Sequence, residues 1–93
     1  MERDKYVELY DTYKDLFTDK QKEYFEDYYF EDFSLSEIAE NKSVSRSIVS
    51  KTINKMEQKL EEYENVLGII SKDNKVRAIL KEYPQLLDKY NNI

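Results

Sequence analysis

Ser34-Leu-Ser-Glu-Ile-Ala-Glu-Asn-Lys-Ser-Val-Ser-Arg-Ser-Ile-Val-Ser-Lys-Thr-Ile53 is the stretch that decides the fold. It reads as a helix-turn-helix: a short helix, a tight turn, then a second helix opening at Ser45. Ser34 and Glu37 have capping-box spacing, in which a hydroxyl and a carboxylate three residues on satisfy each other's backbone N–H groups. Leu35, Ile38 and Ala39 fall on the inward side, with Ala39 small where two helices must approach closely. Asn41 to Val44 make the turn, Val44 plugs it from inside, and Ser45 is the N-cap of the next helix. A unit of this kind holds its second helix as an exposed rod that can enter a nucleic-acid groove.

On that second helix, Val49, Ile53, Met56 and Leu60 form the buried side. Ser47, Ser50, Lys51, Asn54 and Gln58 then occupy the far side. These are side chains that reach base edges: Asn and Gln bond adenine, Lys reaches guanine, and Ser suits either. Arg46 and Lys55 lie at the margins, where phosphate is the expected target, and Lys42 in the turn is expected to add a further phosphate contact. Polar outer faces are universal on surface helices, so it is the helix-turn-helix spacing that gives these residues meaning.

The apolar pattern runs on past the motif. Val49, Ile53, Met56, Leu60, Tyr63, Leu67 and Ile70 are separated by 4, 3, 4, 3, 4 and 3 residues, a heptad seam. A helix from Arg46 to Leu67 would be about 33 Å long, more than a small domain needs. The expectation is a homodimer joined along Met56, Leu60, Tyr63 and Leu67, with Lys59 and Glu64 flanking the seam where charges pair across two chains. The alternative is that the seam packs on the first and last helices of its own chain.

Upstream, Tyr6, Leu9, Tyr10, Tyr13, Leu16 and Phe17 make one stripe of a helix over residues 3–16. Thr18 and Gln21 predict a second capping box, opening a helix with Tyr24, Phe25, Tyr28 and Tyr29 inward. The tyrosines suggest a base-stacking platform, but beside so many acids they read better as core. Downstream, Gly68 loosens or ends the long helix. A C-terminal helix over residues 72–90 is expected, capped by Ser71, with Val76, Ile79, Leu80 and Tyr83 inward, Pro84 stopping its main part and Leu86, Leu87 and Tyr90 adding one more turn. Asn91 to Ile93 are expected to fray. The whole is one all-α domain over residues 1–93, with the helix-turn-helix at 34–58.

Composition narrows the function. One glycine and one proline in 93 residues argue against a turn-rich sheet fold. With no cysteine there is neither a disulfide framework nor a thiolate metal site. With no histidine as well, the commonest acid–base group and metal ligand is missing. Nothing marks a nucleophile with its base, and no glycine-rich loop cradles a phosphate. The chain is therefore read as a binding protein without cofactor, metal or small-molecule substrate. No apolar run approaches a membrane span and the charged N-terminus is not a signal peptide, so a cytoplasmic location is expected. The net charge of −5 opposes indiscriminate polyanion binding, but it is unevenly spread. Residues 1–41 carry 13 acids against 5 bases, whereas residues 42–59 carry 5 bases against Glu57 alone. The basic island coincides with the second helix of the motif.

At this point the run from Leu16 through Leu67 resembles the YlxM family of small bacterial helix-turn-helix proteins. The matching pieces are Leu16-Phe-Thr-Asp-Lys-Gln21, Tyr28-Tyr29, Asp32-Phe-Ser-Leu-Ser-Glu-Ile-Ala-Glu40, Val44-Ser-Arg46, Ile48-Val49 and Leu60-Glu-Glu-Tyr-Glu64. The middle of the run is shared with region 4 of bacterial sigma factors; the flanking pieces carry the narrower assignment. The resemblance implies an all-helical fold with a sigma-like helix-turn-helix, a dimer through the long helix, and a regulatory role in the signal recognition particle pathway. Members usually place a bulky apolar residue and then glycine in the turn. Here Lys42 and Ser43 stand there, so Ser43 must adopt left-handed backbone geometry or bend the turn differently.

Three functions compete on these grounds. The first is a regulator of the signal recognition particle pathway that contacts its RNA, its GTPase or both. The second is a dimeric DNA-binding transcriptional regulator. The third is a protein-interaction module whose helix-turn-helix no longer touches nucleic acid.

Overall fold

The computed structural model describes residues 2–93. Six α-helices follow one another: α1 Glu2–Tyr13, α2 Asp19–Tyr29, α3 Leu35–Lys42, α4 Arg46–Leu67, α5 Ile69–Leu80 and α6 Pro84–Asn91. The expected first helix thus ends at Tyr13, and its last residues form a separate 3-10 turn, Lys14–Leu16. That change of winding leaves Leu16 exposed, out of the stripe assigned to it, while Phe17 is buried.

The local signals are obeyed where a side chain serves the backbone. Thr18 and Gln21 close one capping box, Ser34 and Glu37 another. Ser45 Oγ accepts the Ile48 N–H at 3.1 Å and opens α4. At the other end of α2, Arg3 donates to the Tyr29 carbonyl and, at 2.7 Å, to Asp32 Oδ1. A cation at a helix C-terminus meets the negative end of its dipole.

The core is aromatic. Tyr10, Tyr13, Tyr24, Phe25 and Tyr29 are buried with Leu9, Phe17, Ile38, Ala39, Val49, Ile53, Met56 and Leu60. Tyr10 stacks on Phe25 at 4.2 Å between ring centroids, and Phe25 on Tyr29 at 4.3 Å. Most of the stripe tyrosines are core, as their spacing beside acids suggested, with Tyr6 and Tyr28 half-buried against it. Four of the tyrosine hydroxyls in and around that core are partnered by an acid. Tyr6 donates to Glu61, Tyr10 to Glu26, Tyr13 to Glu64 and Tyr29 to Glu57. Burial and the neighbouring carboxylates push the Tyr10 and Tyr29 hydroxyls well above the usual phenol range.

The long helix serves its own chain. Met56 and Leu60 have no exposed surface. They are part of the cluster that α1 and α2 close over α4. Burying each contributes about 1.5–3 kcal/mol, so these two positions of the expected dimer seam are internal. Tyr63 is half-buried, with its ring 5.9 Å from both Tyr13 and Phe17. Only Leu67 keeps substantial exposure. The flanking charges are also used at home: Lys59 pairs with Glu62 at 3.6 Å, and Glu64 turns toward α5. A heptad spacing is also what one helix needs to lie along its own neighbours, and α1 fills that role.

The C-terminal segment departs most from expectation. The segment expected over residues 72–90, with its break at Pro84, is formed by α5 and α6; Pro84 starts the second of these at its first position, where its missing N–H costs nothing. Ser71 does not cap α5. Gly68, in left-handed geometry at φ 61°, turns the chain, and Glu64 caps the new helix from the preceding one. Glu64 Oε1 accepts from Ile70 N–H and Oε2 from Ser71 N–H, both at 3.1 Å, while Tyr13 Oη accepts from Ile69 N–H at 3.3 Å. Of the residues expected to face inward, Val76 and Leu80 are half-buried, but Ile79 and Tyr83 are exposed. No residue of α5 or α6 is fully buried. The two helices extend the molecule to 52 × 25 × 24 Å, with a radius of gyration of 16.5 Å. A compact chain of this length would have one of about 12 Å. Among the described residues, no helix is long and apolar enough to cross a membrane.

Candidate nucleic-acid interface

The interface is built from the turn upward. Val44 N–H reaches the Ala39 carbonyl at 3.0 Å, and Ser43 N–H the Glu40 carbonyl at 3.2 Å. These two bonds are the Schellman pattern that ends a helix with one left-handed residue. Ser43 is that residue, at φ 56° and ψ 44°. The turn therefore keeps the geometry that glycine would supply, and the serine bears the strain. Val44 packs on the core from beneath, as a plug should.

From this turn α4 leaves with Val49, Ile53, Met56 and Leu60 buried. Ser47, Lys51, Asn54 and Gln58 are exposed on the opposite face, with Arg46 and Lys55 exposed at its margins. Ser50 is half-buried in a shallow cleft with Tyr28, Leu35 and Asn54. Lys42 lies apart from this set. Its Nζ is 3.3 Å from Glu23 and 3.8 Å from Asp27, so it fastens α3 to α2 and its charge is already neutralised. The sequence could not show that, because both partners lie on α2, 15 or more residues upstream.

Three of the four acids of α4 are turned toward the body; the fourth, Glu62, pairs with Lys59. Glu57 accepts from Tyr29, Glu61 from Lys5 and Tyr6, and Glu64 from Tyr13. The ammonium of Lys5 holds the Glu61 carboxyl below the usual carboxylate range, and the Tyr13 hydroxyl does the same for Glu64. All three carboxylates thus lie along the edge of α4 that meets the body. Lys51 and Lys55 on the outer side, and Arg46 in a cleft with Tyr28, Asp32 and Glu37, enter no ion pair within 4.0 Å among the described residues. The first turn of α4 is also unlike those of α1, α2 and α3. Each of those carries an acid, whereas α4 carries Arg46 and none. A cation beside the positive end of a helix dipole is mildly unfavourable for folding and favourable for an approaching anion. The cations are legible in the sequence; the tyrosines that hold the acids aside are not, since those pairs join residues far apart in the chain.

Comparison with known proteins agrees with this geometry. The family model for UPF0122, the YlxM / p13-like helix-turn-helix proteins, matches residues 1–93. A UPF0122 protein of Halalkalibacterium halodurans is 44% identical over 81 residues, covering 87% of this chain and 74% of the relative. One from Desulforamulus reducens is 43% identical over 84 residues, covering 90% and 72%. One from Ureaplasma urealyticum is 49% identical over 69 residues, covering 74% and 70%. With its motif formed and its full length matched, this chain belongs to the UPF0122 family of YlxM / p13-like helix-turn-helix proteins.

Proposed function

We propose that this protein is a regulatory helix-turn-helix protein that binds duplex DNA through the outer face of α4. The observation that carries the reading is the separation of charge on that helix. Its body-side carboxylates are tied to tyrosines and Lys5, and Arg46, Lys51 and Lys55 are exposed with no ion-pair partner among the described residues. Ser47, Lys51, Asn54 and Gln58 are the base-reading set; Arg46 and Lys55 hold phosphates. Ser50 contributes from the cleft edge. The major groove of B-form DNA admits a helix, whereas that of A-form RNA is too deep and narrow for side chains to read.

The test is charge reversal. Lys51→Glu with Lys55→Glu should reduce binding to short random-sequence DNA duplexes at low salt at least tenfold while leaving the helical circular dichroism unchanged. Unchanged affinity would contradict the reading and favour a protein-interaction module.

A second reading follows from the family resemblance: regulation of protein targeting by contact with signal recognition particle RNA or its GTPase. The acid-rich half of the chain, 13 acids against 5 bases over residues 1–41, supports a protein partner with a basic surface. Recovery of the particle's RNA or GTPase with a tagged copy of the chain from cells would support this reading, and their absence would count against it. A homodimer fits either reading, but it would have to use the exposed end of α4 at Leu67 and the segment beyond, since Met56 and Leu60 are filled from within.

A further inference from the structure

One exposed side chain of α4 is neither charged nor part of the buried core. Ile48 stands in the first turn and is 49% exposed. Among the described residues 2–64, only Leu16, Phe30 and Ile48 are large, apolar and exposed. Phe30 leans on Tyr10 at 5.9 Å, and Leu16 lines a cleft with Phe17 and Met56. Ile48 leaves about half of its surface open to solvent in the first turn of α4. It is the single apolar residue among the exposed positions of α4 from Arg46 to Gln58. Helix propensity does not call for it either, because β-branched residues are poorer helix formers than Ala, Lys or Gln. Its place is nonetheless defined. It follows Ser47, and on the helix surface it neighbours Lys51 at i+3 and Thr52 at i+4. The N-terminal residues of a recognition helix are those that meet base edges.

We infer that Ile48 is a specificity-determining residue that packs against the C5 methyl of thymine in the major groove of B-form DNA. The thymine methyl is the one apolar feature that base edges present there. RNA carries uracil, without that methyl, in a groove that side chains do not enter. The inference rests on the proposed DNA-binding function and narrows it: the preferred site holds a thymine under the first turn of α4, flanked by the base that Lys51 reads.

The experiment uses the full chain and short duplexes selected by it from a random-sequence DNA pool. Each thymine of an enriched duplex is replaced singly by deoxyuridine, which removes one methyl group and nothing else. At one position the replacement should weaken binding about fourfold, the value of burying one methyl-sized group. Ile48→Ala should bind more weakly and lose that difference, while Lys51→Ala should keep it. Because Ile48 is exposed and alanine favours a helix, Ile48→Ala should fold normally, which circular dichroism would check. Tight duplex binding with no thymine-to-uracil effect, or an effect that persists in Ile48→Ala, overturns this inference and leaves the DNA-binding function standing. A pool from which nothing is enriched overturns both.

Discussion

Ser43 sits where the turn requires a left-handed backbone, a geometry that costs an L-residue about 1–2 kcal/mol. Ser43→Gly should therefore raise stability by about 1 kcal/mol, the gain being trimmed by the greater freedom of glycine in the unfolded chain. Urea unfolding should show a higher midpoint with the same slope; a lower midpoint would mean that the serine hydroxyl does something for the turn. Tyr24 is a second single-residue case. Its ring is buried in the core, and its hydroxyl has no hydrogen-bond partner among the described residues. A buried unpaired hydroxyl costs about 1–3 kcal/mol. Tyr24→Phe should then be neutral or stabilising, whereas Tyr29→Phe, which strands the Glu57 carboxylate, should destabilise. The same urea titration separates them, and an equal loss in both variants would contradict the assignment of partners. Neither residue announces this in the sequence. A serine in a turn is ordinary, and only the fold shows that this one carries positive φ. A tyrosine in an apolar stripe looks alike whether its hydroxyl is bonded or not.

Helices were legible where local chemistry fixes them and less so where distant partners do. The two capping boxes and the Ser45 cap depend on residues three apart, and all three formed. The heptad on α4 gave the right residues and the wrong partner at Met56 and Leu60, because periodicity records that a stripe is covered and not by which chain. Leu60→Ala should accordingly cost about 2–5 kcal/mol of stability, as in any buried leucine site, and leave the sedimentation coefficient unaltered. A change in association without loss of stability would return Leu60 to an intermolecular seam. The α4–α5 junction was hidden for a different reason. Its cap is Glu64, contributed by the previous helix and held by Tyr13, which is 51 residues away in the chain. The Tyr13 hydrogen bond, with help from the Ile70 and Ser71 N–H groups, lowers the Glu64 pKa in the folded state. A carboxylate of lowered pKa stabilises the fold above its unfolded pKa, and that contribution is lost as pH falls through the folded value. Hydrogen-exchange protection of the Ile70 and Ser71 amides should thus decline below about pH 4.3, the ordinary glutamate value, while Val49 and Ile53 stay protected. Glu64→Gln should be weaker at neutral pH and lose this acid dependence. Protection that is flat with pH in the parent chain would remove Glu64 from that role.

At the scale of the whole molecule, the charge map explains how a protein of net charge −5 can present a cationic surface. Three carboxylates of α4 that face the body are held there by tyrosine hydroxyls and Lys5, and Arg46, Lys51 and Lys55 enter no ion pair among the described residues. The basic island was visible in the sequence as a count; its isolation from the surrounding acids was not, because it depends on tyrosines of α1 and α2. Acid elsewhere should limit binding to one orientation, with α4 toward the polyanion and the acidic α1 and α2 turned away. The salt dependence of duplex binding measures this arrangement directly. Each phosphate neutralised contributes about −0.9 to the slope of log affinity against log salt. With Arg46, Lys51 and Lys55 engaged, the slope should be about −3 per bound chain, and Lys55→Gln should make it shallower by about 1. A slope near zero, or one that Lys55→Gln leaves unchanged, would contradict the assignment of the outer face of α4 as the nucleic-acid interface.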